Sequence, residues 1–253
     1  MKKWTLIDSA RMPDGGAISL HEHDGTYSVR INGAELMSTR RHASEDRIAE
    51  LACEHAKQIR HARVLIGGLG FGFTLKAALK SLPPDAVVTV AEIAPAVIAW
   101  NRNPAIPLAA DAVSDPRVTI AEQDVRDVIA KSTDAFDAII LDVDNGPAAL
   151  SKESNSGLYN LAGLKRTHAA LRREGCAAFW SAAPNHAFAK LMAAAGFAVD
   201  VQRCRAHMSS GGWHTLFIGR VGRTTGALSA GPKAPVPSGP LHRGNNGRGR
   251  AIR

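Results

Sequence analysis

No run of eighteen or more apolar residues occurs in this 253-residue chain, so no transmembrane helix is expected. Met1-Lys2-Lys3-Trp4-Thr5 leads into charged and polar residues rather than an apolar signal core, and export is not expected either. Cysteine is scarce. Cys53, Cys176 and Cys204 are odd in number and widely spaced, which excludes a disulfide framework and matches no zinc or redox pattern. They read as reduced core thiols of a cytoplasmic protein. Acidic residues are absent from 221–253, where Arg223, Lys233, Arg243, Arg248, Arg250 and Arg253 supply six of the eight net positive charges. The body is therefore nearly balanced, and the basic excess does not describe a nucleic-acid face on it. Pro232, Pro235, Pro237 and Pro240 exclude a helix there, and apolar residues are too few for a core, so the tail is expected to be disordered. It reads as a solvated tail first and as a segment touching RNA second.

The chain is organised around Val64-Leu65-Ile66-Gly67-Gly68-Leu69-Gly70-Phe71-Gly72-Phe73-Thr74. An apolar, partly β-branched strand runs into a Gly-x-Gly-x-Gly turn, and a helix opens at about Thr74. Glycines at this spacing allow a sharp turn and let a ligand approach bare N–H groups. A tight strand-to-helix connection with no ligand would use the same residues. The next strand, Ala86 to Ala91, decides between them by ending at Glu92, about twenty residues on, where a nucleotide-binding α/β unit holds ribose hydroxyls. The glycine loop carries no phosphate-gripping lysine, which argues against a nucleoside triphosphatase. Its third glycine comes one residue early for a dinucleotide dehydrogenase.

Two Gly-centred turns, Asp24-Gly25 and Asn32-Gly33, predict a small antiparallel sheet over 1–39. Ser44 to Arg60 has helical periodicity, with Ile48, Leu51, Ala52, His55 and Ile59 on one face and Ser44 as its N-cap. Val118–Ala121 predicts a third strand leading to Asp124, and Phe136–Leu141 a fourth that delivers Asp142 and Asp144. A helix from Leu161 ends in Arg172-Arg173-Glu174-Gly175, strands follow at Cys176–Ser181, Phe197–Val201 and Trp213–Ile218, and Asn185 caps the helix between the first two.

In an open α/β sheet the ligand lies outside the C-terminal strand ends. Gly67, Gly68, Gly70 and Gly72, then Glu92, Asp124 and Asp142, stand at successive ends and are expected to line one crevice. Glu92 can accept from a ribose. Asp124 can accept from an adenine amine, with the Val125 N–H facing a ring nitrogen, and can equally cap the helix that follows. Asp142 and Asp144 suit a cationic amine, one carboxylate holding an ammonium while the other takes a proton from an attacking amine; capping the following loop is the alternative. Asn145 and Tyr159 are secondary candidates. His42, His186, His207 and His214 have no ligand spacing and read as non-catalytic, and no metal is expected.

With these residues in view, about 17–220 resembles the spermidine synthase family, polyamine aminopropyltransferases with a class I S-adenosylmethionine-dependent methyltransferase fold. The likeness rests on Ile66-Gly67-Gly68-x-Gly70-x-Gly72, Ala91-Glu92-Ile93, Asp115-Pro116-Arg117-Val118 and Phe136–Asp142 running to Gly146-Pro147-Ala148. It implies a Rossmann-like doubly wound α/β domain over 40–220 behind the β-segment of 1–39, with the tail at 221–253. It also implies Glu92 on the ribose, Asp124 on adenine and Asp142 taking the amine proton. The donor would be decarboxylated S-adenosylmethionine and the acceptor a small-molecule amine such as putrescine, with a homodimer left open. Departures bear on the donor. Gly70 stands where the family usually has an aspartate for the aminopropyl ammonium, which removes a reason to reject S-adenosylmethionine itself and keeps methyl transfer as an alternative. The Asp142-Val143-Asp144-Asn145-Gly146-Pro147 loop is short, the family's Tyr-His-Glu of the first helix is missing around Arg47–Glu50, and Trp180 replaces a frequent glutamine. A non-catalytic nucleoside- or RNA-binding protein is the reading from a different class.

Overall fold

The computed structural model describes residues 3–12, 15–143, 146–149, 156–205 and 212–222. Asp144, Asn145, His207 and the tail from 223 onward lie outside the described residues, as do the expectations placed on them. Alternating apolar residues and the two Gly turns fold the N-terminal stretch into a four-stranded antiparallel sheet in the order β1 (Thr5–Arg11), β2 (Ala17–His23), β3 (Thr26–Ile31) and β4 (Ala34–Ser38). Its buried side faces inward through Ile18, Leu20 and Val29, which join the core of the larger sheet. The Trp100 indole N–H donates to Asp8 at 2.7 Å and ties the two parts together.

α1 (Ala43–Ala56) leads into a seven-stranded sheet of order β10-β11-β9-β8-β5-β6-β7. β5 (Arg63–Gly67), β6 (Val87–Glu92), β7 (Val118–Glu122), β8 (Phe136–Leu141) and β9 (Leu171–Ser181) are parallel. β10 (Ala198–Arg205) and β11 (Trp213–Arg220) close the edge as an antiparallel hairpin. β8 is buried at every residue, which is why it reads as an apolar run, broken only by Asp137, rather than as an alternation. The helices that matter for the site are α2 (Phe73–Ser81), α3 (Pro95–Arg102), α4 (Ala110–Val113) and α5 (Val125–Ala130). This is the expected α/β architecture with its small antiparallel sheet.

Local differences have physical reasons. α1 ends at Ala56, short of Arg60, because the chain turns through His61 at φ +53° before β5. Its N-cap is His42, not Ser44, whose hydroxyl is engaged elsewhere. Arg172-Arg173-Glu174-Gly175 is not a helix exit but part of β9. Glu174 takes φ +65° at a register shift opposite Phe136–Ala138, and Arg172 pairs with the buried Asp137 at 3.0 Å. Basic residues followed by Gly look alike at a helix end and at a bulge. Asn185 does cap its helix, accepting from the Phe188 N–H at 3.0 Å.

Candidate active site

The ends of β5, β6, β7 and β8 open onto one cavity of about 400 Å³. Its floor holds Gly68, Leu69, Gly70, Glu92, Asp124, Val125 and Asp142. Gly67 and Gly72 do not line it; Gly67 is the last residue of β5 and Gly72 the N-cap of α2. Glycine is required at Gly68, which has φ +88° and where a Cβ would lie 2.6 Å from the Asp142 carbonyl oxygen. The turn and the end of β8 can close on each other only without a side chain. Gly72, at φ +74°, leaves room for Ala109, whose Cβ would lie 2.3 Å from a Cβ added there. Asn101, fully buried on α3, donates to the Gly70 carbonyl at 2.8 Å and to Val97 at 2.9 Å, pinning the turn from a residue the sequence pattern does not single out.

Glu92 is buried, and its two carboxylate oxygens accept from the Leu69 and Ala94 N–H groups, each at 2.8 Å. Burial raises its pKa and those backbone donors oppose the rise. The Gly70 and Ile93 N–H groups also favour the carboxylate, so the residue organises the glycine turn as well as facing the cavity. Asp124 caps α5 by accepting from the Arg126 N–H at 2.8 Å, and the Arg126 guanidinium grips it at 2.6 and 2.9 Å. Burial acts to raise the Asp124 pKa, but Arg126 outweighs it and the net direction is down. The helix-cap role is thus real, and it leaves the carboxylate at the cavity wall.

Asp142 accepts from the Thr74 hydroxyl at 2.8 Å, and burial raises its pKa against that bond. Tyr159 donates to the Val143 carbonyl at 3.1 Å, which holds the start of the loop after β8 rather than a ligand.

A second set of residues comes from outside the strand ends. Glu45 lies on α1, three residues before Ile48 and so on the helix's buried stripe; a carboxylate at that spacing is the one signal the sequence holds for it. Burial first, and the Asp142 charge second, push the Glu45 carboxyl up to about 7. Trp180 from β9 and His214 from β11 also line the cavity. His214, read from the sequence as non-catalytic, is thus placed at the cavity wall. His186 and His42 are not in the lining; His42 stacks on Phe73 at 4.2 Å and pairs with Asp46. The small sheet adds Ile18, Val29, Ile31, Leu36 and Met37 as an apolar roof, and Arg41, held by Glu35 at 3.3 Å, stands at the wall. Met37 Sδ would be 3.3 Å from a Cβ at Gly70, so a thioether borders the place of the family's aspartate. Among the described residues, no three His, Cys, Asp or Glu side chains gather to hold a metal, and no helix is long and apolar enough to cross a membrane.

This topology and this cavity can be set beside solved structures. A spermidine synthase in complex with the transition state analogue AdoDATO superimposes with a TM-score of 0.67 at 18% identity, covering 86% of this chain and 72% of that one. The chain has the spermidine synthase-like fold. The spermidine synthase of Thermotoga maritima matches equally, at 0.67 and 18% identity over 86% and 73% of the two chains. A probable spermidine synthase from Corynebacterium glutamicum ATCC 13032 gives 0.59 at 17% identity over 87% and 81%. No family model matches the sequence, and no curated protein matches it. The spermidine synthase-like fold is thus carried here by a sequence only 17–18% identical to these structures.

Proposed function

We propose that the chain is a transferase in which an amine attacks a carbon beside the sulfonium sulfur of a nucleoside donor. The single observation that carries this reading is the convergence of the glycine turn, Glu92, Asp124 and Asp142 on one cavity. Glu92 would accept from the ribose hydroxyls and Asp124 with Val125 would meet adenine. Asp142 would take the proton as the amine nitrogen bonds to carbon and the thioether leaves. A carboxyl raised by burial is a better base near neutral pH than a solvated one, because its proton affinity lies closer to that of the medium. The leaving thioether needs no acid, so alignment and proton removal are the work left to the protein.

The fold neighbours favour aminopropyl transfer from decarboxylated S-adenosylmethionine to an acceptor such as putrescine. Methyl transfer from S-adenosylmethionine is the second reading, and Gly70 favours it. With Met37 rather than a carboxylate at that place, nothing there repels a donor that keeps its own carboxylate. Calorimetric titration with each donor separates the two. Tighter binding of the decarboxylated form supports aminopropyl transfer, tighter binding of S-adenosylmethionine supports methyl transfer, and binding of neither overturns the nucleoside site.

A further inference from the structure

One hydroxyl joins three elements at the cavity. Ser44 is fully buried at the start of α1; its Oγ lies 2.5 Å from Glu45 Oε2 and 2.9 Å from His214 Nδ1, and it accepts from Trp180 Nε1 at 3.1 Å. An indole N–H can only donate, so Trp180 uses one acceptor site of the hydroxyl. One proton and one acceptor site remain for Glu45 and His214. When Glu45 is ionised, Ser44 donates to it, and His214 must donate its Nδ1–H to Ser44. When Glu45 is protonated, its O–H donates to Ser44, Ser44 donates to Nδ1, and the imidazole carries its proton on Nε2.

We propose that Glu45, Ser44 and His214 form a proton relay leading from the cavity to the imidazole. The chain of bonds exists whatever the substrate; its use in amine deprotonation rests on the transferase reading. There the amine N–H bond breaks as nitrogen bonds to the donor carbon, and the proton passes to the carboxylates. Glu45 O–H then gives its proton to Ser44 Oγ while Ser44 gives its own to His214 Nδ1. The imidazolium releases its Nε2 proton to water.

The charges around the relay suit passage rather than storage. Facing Glu45 are Asp142 from β8 and Asp46 from its own helix, with the Cys204 thiol of β10 in its field. Burial and then Arg41 lower the His214 pKa, so an imidazolium formed there gives up its proton readily. Glu45, at about 7, exchanges a proton near neutrality.

The test uses the full chain labelled with ¹⁵N-histidine and follows the His214 ring nitrogens from pH 5.5 to 9, the resonance being assigned by its loss in H214N. Wild type is expected to switch from the Nε2–H to the Nδ1–H tautomer near pH 7. E45Q is expected to hold one tautomer across that range, and S44A to uncouple the ring from Glu45. Should E45Q not fold by thermal melting, E45D keeps the carboxylate and is expected to keep the switch at a shifted pH. A tautomer constant with pH, or a switch that survives in E45Q, overturns the relay. Turnover of putrescine with decarboxylated S-adenosylmethionine then tests its use, with kcat expected to fall about tenfold in S44A and the pH limb near 7 to be lost. An unchanged kcat and pH profile overturns that use. Absence of turnover in wild type overturns the transferase reading instead, while the tautomer switch still decides the relay.

Discussion

Glu92 and Asp124 meet the cavity with both carboxylate oxygens held by the chain, through backbone N–H groups in one case and through the Arg126 backbone N–H and guanidinium in the other. Asp142 and Glu45 meet it with the hydroxyls of Thr74 and Ser44 as their side-chain partners, and among the described residues neither forms an ion pair. The first end is set before any ligand arrives. The second holds two carboxylates whose proton affinity is raised by burial, and for Glu45 also by its neighbour's charge, so a cation or a proton must answer them. One cavity thus pairs a rigid docking surface with a responsive one.

The comparison can be broken hardest at its hinge. Gly68→Ala forces a methyl group against the Asp142 carbonyl at a positive φ, and is expected to cost about 3 kcal/mol or more, with a fall in melting temperature of roughly 10 °C. Both ends fail together in that variant. Asp142→Asn separates them: turnover falls at least about 100-fold while 5′-methylthioadenosine binds within about threefold of wild type. Equal loss of both would place Asp142 in docking rather than in chemistry. Glu92→Gln attacks the other end. An amide has one acceptor oxygen for two N–H groups, so nucleoside affinity is expected to fall about tenfold by calorimetry. The smallest effect sharpens the contrast in charge. Glu45 is raised from 4.5 to about 7 on folding, so the folded state holds more protons than the unfolded one in that window. Its contribution to stability is present below pH 4.5 and is lost as the pH rises to 7; E45Q is expected to flatten that slope in melting curves.

The docking end was legible because its logic is local. Positive-φ glycines, an acid at the next strand tip and a mostly apolar β8 each leave their mark within a few consecutive residues. The responsive end was legible only at Asp142. Ser44, which reads as a helix cap, is 170 residues from His214 along the chain, and the two meet only because α1 packs on β9 and β11. The β9 bulge was hidden for a related reason, since Glu174-Gly175 satisfies the local rule for stopping a helix and only the pairing with β8 shows that the strand has already begun at Leu171. Asn101 is similar: an amide in a helix's last turn gives no sign that its partner is the carbonyl of Gly70.

The roof of the cavity belongs to a different sheet from its floor. Met37, Leu36 and Ile31 are thus carried by strands other than those that hold the glycine turn and Asp142, with Met37 alone bordering Gly70. On the proposed transferase reading, selectivity and chemistry would sit on different sheets, and the choice of donor or acceptor would be retuned through β3 and β4 rather than through the strand ends beneath them.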